Sequence, residues 1–193
     1  EMQTDVLIVG SGCAGLYCAL NLPKDKNILM ITKDIVEHSD SYLAQGGMCM
    51  LKDPDDFDSY FYDTMKAGHF ENDTMIKESP DLVKDLLSYG VDFQRDEDGN
   101  LAYTREGAHA RNRIVYHEDI TGKEITSHLY EQCKKLDNLT IKEHWTMVDL
   151  LTKDNCCYGV VVRKDDGSLD TITANYTVLA CGGIGGIYRY STN

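Results

Sequence analysis

The sequence predicts an α/β fold: a parallel sheet carrying helices, with an antiparallel β-meander toward the end of the chain. Three observations carry that prediction. Residues 5–9 (DVLIV) form a short apolar run of the kind found in strands buried on both faces of a parallel sheet, and a helical pattern follows at residues 16–20. Residues 27–32 (NILMIT) repeat the apolar run. Later, strand-like runs at 147–151, 159–163 and 170–173 are separated by the turn signals Asp154-Asn155 and Asp165-Asp166-Gly167-Ser168, which reads as a meander.

Between the first strand and its helix lies Gly10-Ser11-Gly12-Cys13-Ala14-Gly15, a G-x-G-x-x-G. The first glycine permits the tight strand-to-helix turn, the second lets a pyrophosphate approach the backbone, and the third lets the helix pack on the strand. The helix start then offers free N–H groups and the positive end of its dipole to phosphates. Strand, motif and helix in this order point to a dinucleotide. An acidic residue for a ribose hydroxyl is usual at the end of the second strand. Here that strand ends in Lys33-Asp34, so Asp34 can meet the ribose or Lys33 can meet the cofactor.

At 193 residues the chain can form one sizeable core with an excursion. Its net charge of −13 argues against nucleic acid or an anionic membrane as partner. No apolar run approaches the ~20 residues needed to span a bilayer. With no signal-peptide pattern at the start, a cytoplasmic location is expected. The seven cysteines include no C-x-x-C pair, which reads as reduced thiols and not as a disulfide framework or zinc site.

Residues 33–47 (KDIVEHSDSYLAQGG) are polar and aperiodic, so a loop is expected at the C-terminal end of a parallel strand, where such sheets bind ligands. A helix is predicted over residues 55–67, with Phe57, Phe61 and Met65 on one face. Asn72-Asp73 is predicted to cap a second helix, and Ser79-Pro80 to cap and open a third that ends at Gly90. The chain then runs through residues 91–93 to a turn at Asp98-Gly99-Asn100. Residues 103–113 (YTREGAHARNR) interleave Arg, Glu and His with glycine outside any periodic element, which favours a site over a merely solvated face. Thr121 can cap a helix through Lys135, with Ile125, Leu129 and Cys133 inward; residues 139–141 look like a further parallel strand. Residues 177–186 (TVLACGGIGG) return as an apolar strand into four glycines, a second place where backbone can approach a ligand.

DVLIVGSGCAG, ITK, AQGG and TVLACGGIGGIY together resemble the FAD-contact segments of the flavoprotein family that contains L-aspartate oxidase and the flavin subunits of succinate dehydrogenase and fumarate reductase. The resemblance runs through all 193 residues and implies a Rossmann-like FAD-binding domain. In that family the second strand ends in Ser/Thr-Lys, which accounts for Lys33. Family members are typically more than twice this length. The expectation is therefore an N-terminal part, with the end of the FAD domain and the capping domain absent. Covalent members tether FAD through a His four residues before A-Q-G-G; Asp40 stands there, so non-covalent FAD is implied. Thr104-Arg105-Glu106-Gly107-Ala108-His109 resembles the T-R-E-G-G-H of the aspartate oxidase branch, with Ala108 at a family glycine.

What this resemblance implies is oxidation of L-aspartate to iminoaspartate, as in NAD biosynthesis, with O2 or fumarate as acceptor and quinolinate synthase as a candidate partner. FAD would be held by Gly10, Ser11, Gly12, Cys13, Ala14, Gly15, Lys33, Asp40, Ser41, Tyr42, Leu43, Ala44, Gln45, Gly46, Gly47, Ala180 and Gly182, and Glu106 would meet the substrate ammonium. The family's proton-accepting Arg and its substrate-holding His and Arg residues would lie beyond Asn193. The alternatives are a soluble fumarate reductase or succinate dehydrogenase-like enzyme, or an FAD-binding module without turnover. A purely structural role for Glu106 would pair it with Arg105, Arg111 or Arg113.

Overall fold

The computed structural model describes residues 2–70 and 76–190. Its elements, in chain order, are β1 (Met2–Val9), α1 (Cys13–Asn21), β2 (Ile28–Ile31), α2 (Asp40–Leu43), β3 (Met48–Cys49), α3 (Phe57–Ala67), α4 (Ser79–Ser88), β4 (Ile114–Val115), α5 (Thr121–Cys133), β5 (Leu139–Lys142), β6 (Thr146–Lys153), β7 (Cys156–Arg163) and β8 (Leu169–Leu179). The chain divides into two compact units, Glu1–Leu43 with Thr126–Asn193, and Ala44–Ile125.

The first unit holds a six-stranded sheet in the order β5-β2-β1-β8-β7-β6. β1 pairs in parallel with β2 and β8, and β2 in parallel with β5. β7 runs antiparallel to both β8 and β6. The runs 170–173 and 177–179 are not separate strands. They belong to one 11-residue strand, β8, which ends the meander on one edge and completes the parallel sheet on the other. Its alternating Thr and apolar residues suit that shared position. The β6–β7 connection is the two-residue turn Asp154-Asn155, both at positive φ (50° and 61°), which matches the twist of a hairpin.

All four residues of β2, and residues 6–9 of β1, are buried, as strands covered on both faces should be. Leu7, Val9, Leu29, Ile31, Val160, Val162 and Ile172 form one cluster across the sheet. Leu16 and Ala19 of α1 are buried, and the Cys133 thiol donates to the Leu16 carbonyl at 3.4 Å, joining the end of α5 to α1.

In the second unit β3 and β4 pair antiparallel, Met48 with Val115 and Cys49 with Ile114. Helix α3 turns a different face inward from the one its aromatic spacing predicts. Asp56, just before the helix, and Tyr60 are buried, while Phe61 is exposed. The reason is electrostatic: Asp56 and Asp63 face Arg113, and that contact sets the helix rotation. Ser79 begins α4 without capping it; its hydroxyl accepts the Leu51 N–H and donates to the Ile76 carbonyl. Thr121 likewise accepts the N–H of His117, upstream of α5, and the helix ends at Cys133, short of Lys135. Residues 33–47, expected as a loop, contain a 3-10 turn at Val36–His38 and α2. The cap predicted at Asn72-Asp73 lies outside the described residues. Among the described residues, no helix is long and apolar enough to cross a membrane.

Candidate functional site

The C-terminal ends of β1, β2 and β8 open onto a cavity of about 540 Å³ within the first unit. The turn from β1 into α1 forms one wall. Gly10 donates its N–H to Ile31 O and takes φ +112°, and a Cβ there would stand 2.1 Å from the Ala180 carbonyl oxygen. Ala180 in turn donates to Val9 O at 2.8 Å. Only glycine lets these two backbones close together. Ser11 donates to the Thr32 hydroxyl at 2.9 Å, and Trp145 donates its backbone N–H to the Thr32 carbonyl.

Of the residues the sequence singles out, Gly10, Ser11, Gly12, Ala14, Lys33, Asp40, Ser41, Ala180 and Gly182 line this cavity. Cys13, Gly15, Tyr42 and Leu43 do not. The Cys13 N–H donates to the Ser41 hydroxyl at 3.1 Å and its thiol lies 3.2 Å from Thr126 Oγ1. Gly15 works in packing: a Cβ there would meet Gly10 O at 2.0 Å. Asp34 also lines the cavity; its bond with His38 leads the effects that hold its carboxyl below the usual aspartate range. Trp145, Thr146 and Met147, unflagged by the sequence, complete the wall beside β2. The signal that could have found them is the β2–β5 pairing, which places whatever follows β5 beside the end of β2.

Ala44, Gln45, Gly46 and Gly47 belong to the second unit, where a separate cluster forms. The Glu106 carboxylate accepts the Gly47 N–H at 3.2 Å, and a Cβ on Gly46 would stand 3.1 Å from Glu106 Oε2. Arg113 is not its partner. That guanidinium, wholly buried, binds Asp56 through Nε and Nη2 and Asp63 through Nη1. Arg111 also leans toward Asp56, at 3.4 Å. His109 bridges Arg113 and Cys49, with Nδ1 3.1 Å from Arg113 Nη1 and Nε2 3.0 Å from Cys49 Sγ. Burial, then the Arg113 charge, lowers the His109 pKa, and burial raises that of the Cys49 thiol.

The cavity's chemistry fits FAD. It offers side-chain-free backbone at Gly10 and Gly12, the start of α1, a lysine for phosphate, and the carboxylates of Asp34 and Asp40 for hydroxyl groups. The family described as FAD binding domain matches residues 5–193, and the chain belongs to that family. L-aspartate oxidase of Clostridium perfringens (strain 13 / Type A) is 46% identical over 194 residues, which cover 98% of this chain and 44% of that protein. The Clostridium acetobutylicum L-aspartate oxidase is 41% identical over 198 residues, covering 100% and 45%. Among solved structures, an E. coli quinol fumarate reductase mutant (FrdA) superposes with a TM-score of 0.92 at 28% identity, covering 100% of this chain and 34% of that one. The chain thus spans less than half the length of the L-aspartate oxidases it matches.

Proposed function

We propose that the chain is the N-terminal part of an enzyme that oxidises L-aspartate to iminoaspartate, with FAD bound non-covalently and O2 or fumarate as acceptor. The observation that carries this reading is the Glu106 carboxylate, held at the Gly46-Gly47 backbone in the T-R-E-G-A-H segment. Aspartate differs from succinate by an ammonium group, and a carboxylate is the group to recognise it by a charge-assisted hydrogen bond. The names and identities of the clostridial relatives support the same substrate.

FAD, when bound, supplies an acceptor for the hydride that leaves the substrate Cα. The chain's own residues hold it. Gly10 to Gly12 and Lys33 take the pyrophosphate, with Ser11, Ala14, Ala180 and Gly182 forming its surroundings. Asp34, Asp40 and Ser41 accept or donate to hydroxyl groups, while Tyr42 and Leu43 of α2 lie off the cavity. Cys13 and Gly15 act from behind, by fixing the start of α1. Non-covalent binding is supported by Asp40 at the tethering position and by the engagement of the neighbouring His38 with Asp34 at 3.1 Å. Quinolinate synthase is the proposed consumer of the imine, and the cytoplasm the proposed location.

The test is anaerobic addition of L-aspartate to the flavin-loaded protein carrying its native flanking sequence. The yellow flavin absorbance should bleach, and ammonia and oxaloacetate from imine hydrolysis should appear. No bleaching by aspartate, together with fumarate reduction from a reduced dye, would select the second reading, a fumarate reductase-like enzyme, the kind of protein the chain superposes on in E. coli. Neither reaction would leave an FAD-binding module.

A further inference from the structure

We propose that His109 is a positioning residue for Glu106: Arg113 locks its ring in the Nε2–H tautomer, and that N–H ties the 106–109 turn to Cys49. This rests on the reading of Glu106 as the contact for the substrate ammonium.

The tautomer follows from the donor inventory. A guanidinium has only donors, so the 3.1 Å contact between Arg113 Nη1 and His109 Nδ1 has the arginine donating to the ring. Nδ1 therefore carries no proton, and the neutral ring keeps its proton on Nε2, which points at Cys49 Sγ 3.0 Å away. Arg113 is itself immobile between Asp56 and Asp63, and Asp63 also accepts the N–H of Ala110, the residue after His109. With both ring nitrogens engaged, His109 has no lone pair to take a substrate proton. Its role is to hold.

What it holds is a tight turn. The His109 N–H donates to the Glu106 carbonyl at 3.3 Å, and Ala108, third of the four residues, takes φ +69°, a conformation that favours glycine. The turn puts Glu106 at one end and His109 at the other. Each reaches the same short segment: Glu106 to Gly47, His109 to Cys49. Cys49 is anchored by its pairing with Ile114. Glu106 is exposed, and one bond from an exposed carboxylate orders a turn poorly; the partly buried His109 rung supplies the second point of attachment.

The test uses substitutions that cut this rung and spare the arginine cluster. In His109→Asn the amide oxygen can still accept from Arg113 but is too short to reach Cys49. Cys49→Ala removes the acceptor, and Cys49→Ser keeps one. His109→Asn and Cys49→Ala should each lower kcat/KM for aspartate about tenfold, mainly through KM, as befits the loss of one hydrogen bond's worth of positioning. Fumarate reduction should change less than about twofold. Cys49→Ser should recover most of the aspartate activity. The pH profile of His109→Asn should keep every limb of the parent's, and 15N NMR of the ring should read Nε2–H. Loss of a pH limb, equal losses on both substrates, or an Nδ1–H tautomer would overturn the proposal. Glu106→Gln, run alongside, separates the two failures. A selective aspartate loss there, with His109→Asn silent, sinks this proposal alone; no selectivity in Glu106→Gln sinks the reading beneath it.

Discussion

Arg113 and Asp56 meet as a two-pronged ion pair, Nε to Oδ2 and Nη2 to Oδ1, both at 2.8 Å, with the arginine side chain fully buried. A buried pair of this kind adds little over a well-packed apolar pair, but breaking it from one side strands a charge. Asp56→Ala should therefore cost about 3–5 kcal/mol of stability, read by denaturant unfolding. Arg113→Lys should also be costly, since an ammonium cannot fork to Asp56 while reaching Asp63 and His109. Losses under about 0.5 kcal/mol, the size of ordinary surface changes, would mean the cluster relaxes to water.

The same cluster sets an acid sensitivity through Asp63. Burial pushes this carboxyl up, but the Ala110 N–H and Arg113 outweigh it and hold the pKa below the ordinary 3.8. A carboxyl whose folded pKa is depressed stabilises the fold above its unfolded pKa, and that contribution fades as pH falls through the folded value. The thermal midpoint should thus drop as pH falls below 3.8, and Asp63→Asn should flatten that part of the profile while lowering the midpoint at neutral pH. An unchanged acid limb in Asp63→Asn would assign the sensitivity to other carboxylates.

Much of the parallel sheet was legible in the sequence, because strands buried on both faces leave unbroken apolar runs such as DVLIV and ILMI. The Asp154-Asn155 turn was legible too, since few residues tolerate positive φ. Helix α3 itself was legible, but not its inward face, because an aromatic stripe at helical spacing signals a core only when nothing stronger competes; Asp56 and Asp63 answer to Arg113, 50 or more residues away. Ser79 and Thr121 were misread for the same reason, each hydroxyl being spent on a distant or upstream backbone group. In the candidate site the glycines could be read one by one from local backbone demands. Trp145 could not, because it reaches the cavity only through the β2–β5 pairing.

Under the proposed function, substrate choice turns on Glu106. Glu106→Gln keeps the shape and removes the charge, so loss of a charge-assisted contact should cost on the order of 1.5–3 kcal/mol. That is roughly a tenfold to hundredfold fall in kcat/KM for aspartate. Fumarate lacks the ammonium, so its reduction should change far less or improve. Equal losses on both substrates would mean that Glu106 serves only to hold Gly47.

Flavin attachment is open to a simpler measurement. Asp40 offers no nucleophilic ring nitrogen, and His38 is tied to Asp34. Acid precipitation of the flavin-loaded protein should release all of its flavin to the supernatant. Colour retained in the washed pellet would reveal a covalent bond and redirect attention to His38.

Gly10 and Gly12 share one motif but should fail differently when each gains a methyl group. At Gly10 the backbone has φ +112°, and the new Cβ would fall 2.1 Å from the Ala180 carbonyl oxygen. That oxygen cannot retreat freely, because the Ala180 N–H is bonded to Val9 O where β1 and β8 end. Strain at the backbone and a clash against backbone add, so Gly10→Ala should lose several kcal/mol, beyond the roughly 1–3 kcal/mol of overpacking alone. At Gly12 φ is an ordinary −71°, and the Cβ would stand 2.9 Å from the Ser41 hydroxyl, the end of a short side chain that can rotate. Rotation breaks the bond from Cys13 N–H to Ser41, a loss of about 1 kcal/mol by analogy with a helix cap. The methyl group itself projects where Gly12 lines the cavity. Gly12→Ala should therefore fold with a modestly lower thermal midpoint yet titrate with FAD far more weakly, whereas Gly10→Ala should lose stability and flavin together. If Gly10→Ala melts with Gly12→Ala and still binds FAD, the close approach of Ala180 to the turn is not what holds this site.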